Sequence, residues 1–137
     1  MSYLIDTNVL SELRRKAPDA RVVHWFSQRP AGTLYLSVLT LGELRKGIEA
    51  MPDPPLRLVL LDWLETELPA FFSGRILPID AAVADRWGRM VAQAGRPLPA
   101  IDSLLAATAL QHGLILVTRN LRDVQGTGAQ ALSPWDD

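Results

Sequence analysis

The sequence predicts an α/β fold, with a parallel sheet of four to five short strands covered by helices on both faces. Three observations carry that expectation. Apolar runs such as Tyr3-Leu4-Ile5 and Leu114-Ile115-Leu116-Val117 are short and unbroken, as in strands buried on both sides. Segments of helical periodicity lie between most of these runs. Pro and Gly clusters, with residues able to cap helices, fall at the junctions.

Tyr3 to Ile5 reads as the first strand, and Asn8 to Lys16 as a helix broken near Pro18. Asp19 can cap a helix running to Gln28, with Val22, Val23 and Phe26 at helical spacing. Pro30-Ala31-Gly32 is a turn, Leu34 to Leu36 a second strand, and Val38 to Ala50 a helix. After the Pro52-Asp53-Pro54-Pro55 loop, Leu56 to Phe72 reads as a helix interrupted by Pro69, with Leu60, Leu61, Leu64 and Leu68 on one side. Ile76 to Ile79 is a third strand. Asp80 can cap the helix from Ala81 to Ala94, and Gly95 can end it. Beyond the Gly95–Pro99 loop, Ile101 to His112 is an apolar helix stopped by Gly113. Leu114 to Val117 and Ala129 to Leu132 are the fourth and fifth strands.

A length of 137 residues suits one domain, residues 1–137, with a full core. The net charge of −1 gives no global field that would draw the chain onto nucleic acid, so any such contact must be local or mediated by metal. Only Lys16 and Lys46 of the 14 basic residues are lysine. Arginine suits phosphate, although genome composition produces the same bias. The absence of cysteine excludes disulfides, thiolate chemistry and Cys-based zinc sites. The first residues lack the basic region and apolar core of a signal peptide, and no stretch approaches a transmembrane span. A cytoplasmic location without membrane contact is the expectation.

Four acids stand where strands and helices begin or end: Asp6, Glu43, Asp102 and Asp123. Hard divalent cations take oxygen ligands, and four such positions could serve one. Each also has a structural reading. Asp6 can cap the following helix. Glu43 can close a capping box with Thr40. Asp102 can answer a helix dipole, although the apolar helix behind it makes an unpartnered carboxylate costly. Asn120 and Asp123 can form an Asx turn. Ligands of open parallel sheets bind beyond the carboxyl ends of the strands, where Asp6 and Thr118–Asp123 fall. Carboxylates sharing a cavity repel, so at least one should have a raised, coupled pKa. His24 and His112 read as structural, which argues against paired-histidine acid–base catalysis. Trp25, Trp63, Trp87 and Trp135 read as core or interface rather than base-stacking platforms.

The pattern Ile5-Asp6-Thr7-Asn8, then Ser37-x-x-Thr40-x-Gly42-Glu43-Leu44-x-x-Gly47, then Asp102-x-x-Leu105-x-Ala107, then Thr118-Arg119-Asn120-x-x-Asp123 resembles the PIN-domain nucleases. More narrowly it resembles their VapC and FitB-type toxins, whose Asn-Pro-Trp ending is similar to Ser133-Pro134-Trp135 here. The resemblance covers essentially the whole chain. It implies an α/β/α sandwich and a metal-dependent endoribonuclease, the toxin component of a toxin–antitoxin pair. Mg²⁺ or Mn²⁺ would be held by Asp6, Glu43 and Asp102, with Asp123 favoured over Asn120 as the fourth ligand, and Thr7, Thr118 and Asn120 in support. Family members usually follow the fourth acid with an aromatic residue, where this chain has Val124. The implied partners are RNA, with tRNA or another structured RNA as the guess, a cognate antitoxin and a second copy in a homodimer. Arg14, Arg45, Arg119 and Arg122 are candidate RNA contacts, with a solvated surface as their plain alternative. Two rival functions stay open: a non-catalytic PIN-like module binding nucleic acid or protein, and a metal-dependent DNase.

Overall fold

The computed structural model describes residues 1–136. Its sheet is parallel throughout, in the order β3-β2-β1-β4-β5. The strands are β1 (Tyr3–Ile5), β2 (Leu34–Ser37), β3 (Ile76–Leu77), β4 (Ile115–Val117) and β5 (Ala131–Leu132). The helices are α1 (Thr7–Leu13), α2 (Ala20–Ser27), α3 (Val38–Glu49), α4 (Pro54–Asp62), α5 (Leu68–Phe71), α6 (Ala81–Gln93), α7 (Ala100–His112) and α8 (Leu121–Val124).

Successive strand residues point to opposite faces, and the core divides accordingly. Tyr3, Ile5, Leu34, Leu36 and Val117 pack with α1 to α5 on one face. Leu4 and Leu116 pack with α6, α7 and Val124 of α8 on the other. This is the α/β/α sandwich that the apolar runs and the family resemblance both pointed to. Trp25, Trp63 and Trp135 are buried in the first layer. Trp87 ties α6 to α7 by donating from Nε1 to Ser103 Oγ at 2.9 Å. The tryptophans are structural, as expected.

Several boundaries differ from the sequence expectation, each for a local reason. The first helix starts at Thr7, because Asp6 is its cap and accepts the Thr7 N–H at 2.6 Å. It stops at Leu13 rather than Lys16, and Glu12 accepts the Asp19 N–H at 2.9 Å across the turn into α2. Pro69 does not interrupt its segment. A π turn over Trp63–Glu67 precedes it, with the Leu68 N–H bonded to the Trp63 carbonyl. The wider turn absorbs the gap that the proline's missing N–H leaves in the ladder. The segment also starts earlier than Leu56, since Asp53 caps it at Leu56 N and Pro54 suits a first turn.

Strand β1 is as expected and β2 runs one residue further, to Ser37, while the last three strands are shorter than expected. Pro78 follows Leu77 and cannot donate to the sheet. The Leu114 N–H is taken by Ala109 O at 2.8 Å, part of the left-handed close of α7. The Ala129 N–H is taken by Thr127 Oγ1 at 3.3 Å. The short helix α8 was not anticipated.

Gly113, at φ 65°, ends α7 and aims the chain into β4. A Cβ there would meet no atom within 4 Å, so Gly113→Ala is strained only in its backbone. The expected cost is about 1 kcal/mol by urea denaturation. An unchanged midpoint would show that the turn relaxes freely.

Candidate functional site

The strand order reverses direction at β1. From β1 the chain adds β2 and then β3 on one side, and later places β4 and β5 on the other. The gap beyond the carboxyl ends of β1 and β4 is therefore the switch point, where open α/β sheets bind ligands. Ile5 pairs with Val117, and the Asp6 N–H donates to Val117 O at 2.9 Å. That register places Asp6 beside Thr118, residues far apart in sequence.

Asp6 is only 4 % exposed, and both of its carboxylate oxygens accept hydrogen bonds. Oδ1 accepts the Thr7 N–H, while Oδ2 accepts the Thr118 hydroxyl at 2.7 Å and the Asn8 amide at 3.3 Å. Asp6 thus caps α1 and also faces the site, so its two readings do not compete. Asn8 spans the switch point: its Oδ1 accepts the Arg119 N–H at 3.3 Å, and its amide also approaches Thr118 Oγ1 at 3.4 Å. The Asn120 N–H closes the network onto Thr118 Oγ1 at 3.0 Å.

Glu43 comes from the second turn of α3. The capping box with Thr40 does not form, because Ser37 is the cap and accepts the Leu39 N–H at 3.0 Å. Glu43 instead accepts the Thr7 hydroxyl on Oε1 at 2.5 Å. Asp102 lies in the first turn of α7 and is half-buried. Asp6, Thr7, Glu43, Asp102 and Asn120 all line one open cavity of about 440 Å³. Asp123 sits on α8 outside that lining and carries no Asx turn, since Asn120 makes no side-chain cap bond.

The carboxylates sense one another. Burial pushes Asp102 up to about 6, and the charges of Asp6, Asp123 and Glu43 add to that shift. Asp6 is also raised, chiefly by burial, against the lowering effect of the Thr118, Thr7 and Asn8 hydrogen bonds. A hard divalent cation would offset this charge and takes oxygen donors only, so the donor set fits one in kind and sign. In spacing, no three acidic or histidine side chains among the described residues are gathered closely enough to hold one ion.

The candidate basic residues divide by direction. Arg14 stacks on Trp63 at 5.1 Å and Arg119 on Trp135 at 5.0 Å. Arg45 pairs with Glu65 at 2.8 Å, and Arg122 is exposed on α8. None of these lines the carboxylate cavity, but Arg15 and Glu12 do. Sequence reading passed over Glu12, since an isolated Glu in an amphipathic helix carries no distinguishing signal. His24 and His112 are both exposed and lie outside the cavity lining.

An α/β/α sandwich with acids converging over its switch point is a nuclease-like arrangement. Residues 3–124 match the PIN domain, and the chain belongs to that family. It is 36% identical over 136 residues to the VapC ribonuclease Y4jK of Sinorhizobium fredii, covering 97% of each chain. It is 36% identical over 137 residues to the toxin FitB of Neisseria gonorrhoeae, covering 98% of this chain and 99% of that one. The crystal structure of FitAcB from Neisseria gonorrhoeae superposes with a TM-score of 0.93 at 35% identity, over 98% of this chain and 99% of that one.

Proposed function

We propose that the protein is a metal-dependent endoribonuclease, the toxin of a toxin–antitoxin pair, acting in the cytoplasm. The observation that carries this is the convergence of Asp6, Glu43 and Asp102, from three distant stretches of chain, on one open cavity at the switch point. The relatives named as a ribonuclease and a toxin support it over nearly their full length.

On this reading Asp6, Glu43 and Asp102 would hold Mg²⁺ or Mn²⁺ once the ion draws them closer than they stand here, and Asp123 would add to the negative field from the rim. The metal would lower the pKa of water and neutralise charge on the scissile phosphate. Thr7 fixes the rotamer of Glu43, and Thr118 with Asn8 fixes that of Asp6. Asn120 stands at the mouth, where its amide can meet the RNA backbone. Water would attack phosphorus as the bond from phosphorus to the 3′-oxygen breaks, and the proton lost by the water would end on that oxygen, giving a 5′-phosphate and a 3′-hydroxyl. No step needs a histidine.

A toxin of this type has an antitoxin. Of the apolar stripe on α4 and the segment after it, Leu60, Leu64 and Leu68 are core. Leu58 and Val59 are 67% and 58% exposed. A groove of about 480 Å³ is lined by apolar Leu44, Ile48, Met51, Leu56, Leu60 and Trp63, with Arg14, Arg15, Lys16 and Glu43 as its charged residues. It suits an amphipathic antitoxin helix. A homodimer completes the proposed assembly. No helix among the described residues is long and apolar enough to cross a membrane.

The test uses antitoxin-free protein and end-labelled total tRNA, with Mg²⁺, Mn²⁺ or EDTA. Discrete cuts with either metal and none in EDTA are expected. Cuts that persist in EDTA would remove the metal from the mechanism. Intact RNA under all conditions, with RNA still bound, would favour the non-catalytic module.

A further inference from the structure

A cavity lined by carboxylates repels the phosphate backbone that it would have to receive. Asp6, Glu12, Glu43 and Asp102 all contribute to this lining. Among the described residues one cation stands with them, Arg15. Its neighbour Arg14 lies over Trp63 and, with Lys16, lines the adjoining groove rather than this cavity, while Arg15 borders both. Arg119 is stacked and Arg45 is paired elsewhere.

Glu12 gives Arg15 its direction. The Glu12 side chain is 7% exposed, while that of Arg15 is 67% exposed. One Glu12 oxygen, Oε2, is committed to the Asp19 N–H at 2.9 Å. The other, Oε1, is thereby held towards Arg15 Nη1, at 3.4 Å. That distance is long for a charged hydrogen bond, so the contact is loose enough to share with a phosphate oxygen. The guanidinium has five donors in a planar fork, and Glu12 meets only one nitrogen. The Arg15 side chain is otherwise largely exposed and lines the cavity.

We propose that Arg15 is the backbone-phosphate contact of the active-site cavity and that Glu12 is its positioning residue. The inference rests on the ribonuclease reading above. Arg15 would grip a phosphodiester next to the scissile one, offsetting the repulsion from the carboxylates. Glu12 acts only through Arg15 and through the α1–α2 turn that it closes.

The experiment measures cleavage of a single-stranded RNA by the full chain. It also measures the salt dependence of RNA binding in an Asp102→Asn background, where cleavage does not interfere. Arg15→Gln should raise KM about tenfold with kcat within about twofold, the worth of one charge-assisted hydrogen bond. It should also lower the log–log salt slope by about 0.7, one phosphate contact on a single strand. Arg15→Lys should restore the slope. Glu12→Gln keeps an acceptor for the Asp19 N–H but gives up the charge, and should raise KM about threefold. In the Arg15→Gln background it should add nothing to KM, a non-additivity that a merely structural Glu12 would not produce.

Arg15 is exposed, so its variants test the contact without threatening the fold. Wild-type cleavage with an unchanged KM and salt slope in Arg15→Gln would overturn the proposal and leave the nuclease reading standing. A wild-type protein that neither cleaves nor binds RNA would overturn both.

Discussion

Asp102→Asn is expected to slow RNA cleavage on the order of 10³-fold or more, and to make the metal-free protein more stable at neutral pH. The two effects share one cause. Asp102 lies among like charges at the mouth of an apolar helix, and its carboxyl is pushed from 3.8 up to about 6. Between those values the folded chain keeps a proton that the unfolded chain has released. Rising pH therefore weakens folding across a window of about 4 to 6, and above it the whole penalty stands. A shift of this size is nominally about 3 kcal/mol. The side chain is half-exposed, and solvent screening reduces the gain expected from Asp102→Asn to roughly 1 kcal/mol at pH 7.5. Urea denaturation in EDTA at pH 4 and pH 7.5 reads this directly. The variant should match the wild type at pH 4 and exceed it at pH 7.5. Equal stability at both, or undiminished cleavage, would remove Asp102 from the site.

Thr118→Val should act in the opposite sense on stability. Thr118 is 1% exposed and donates to a carboxylate that is itself buried. Valine keeps the shape and removes the donor. It also removes the acceptor of the Asn120 N–H and the neighbour of the Asn8 amide. A buried charge that loses a hydrogen bond costs about 2 kcal/mol or more. The Thr118 bond also lowers the pKa of Asp6 against its burial. Without it Asp6 ionises at higher pH, so the acid limb of the cleavage profile should move upward. The stability loss should be large at pH 7.5 and smaller in acid, where the carboxyl is protonated. A loss independent of pH, with an unmoved profile, would mean that Thr118 serves packing alone.

The site was partly legible before folding because some of its signals are local. Asp6, Glu43 and Asp102 stand at junctions between apolar runs and helical segments, and their family spacing could be matched residue by residue. Thr7 and Thr118 belong to the same short motifs, and the structure hydrogen-bonds each to a site carboxylate. Glu12 escaped notice, and Arg15 stood only as one member of the basic run Arg14-Arg15-Lys16, because nothing in an isolated helix says which face meets a distant cavity. Arg14 and Arg15 are adjacent in sequence, yet one stacks on a tryptophan and the other lines the acidic cavity. Asp123 looked equivalent to the other acids, but α8 carries it outside the cavity lining.

The chain's own chemistry determined what acts over a few residues. The alternation of Tyr3, Leu4 and Ile5 assigns faces, Asp19 and Asp80 cap their helices, and Gly113 ends α7 in the left-handed region. These depend on side-chain period, on a carboxylate reaching an N–H two or three residues away, and on the lack of a Cβ. Only the tertiary structure decided that β4 lies against β1, that a π turn carries the chain past Pro69, and that Glu43 meets Thr7 rather than its own helix. Those outcomes follow from strand order and layer packing, which join residues up to 112 positions apart, as Thr118 and Asp6 are. No local rule reaches that far, and since loop closure costs little more for a long connection than for a short one, sequence separation does not select the partner either.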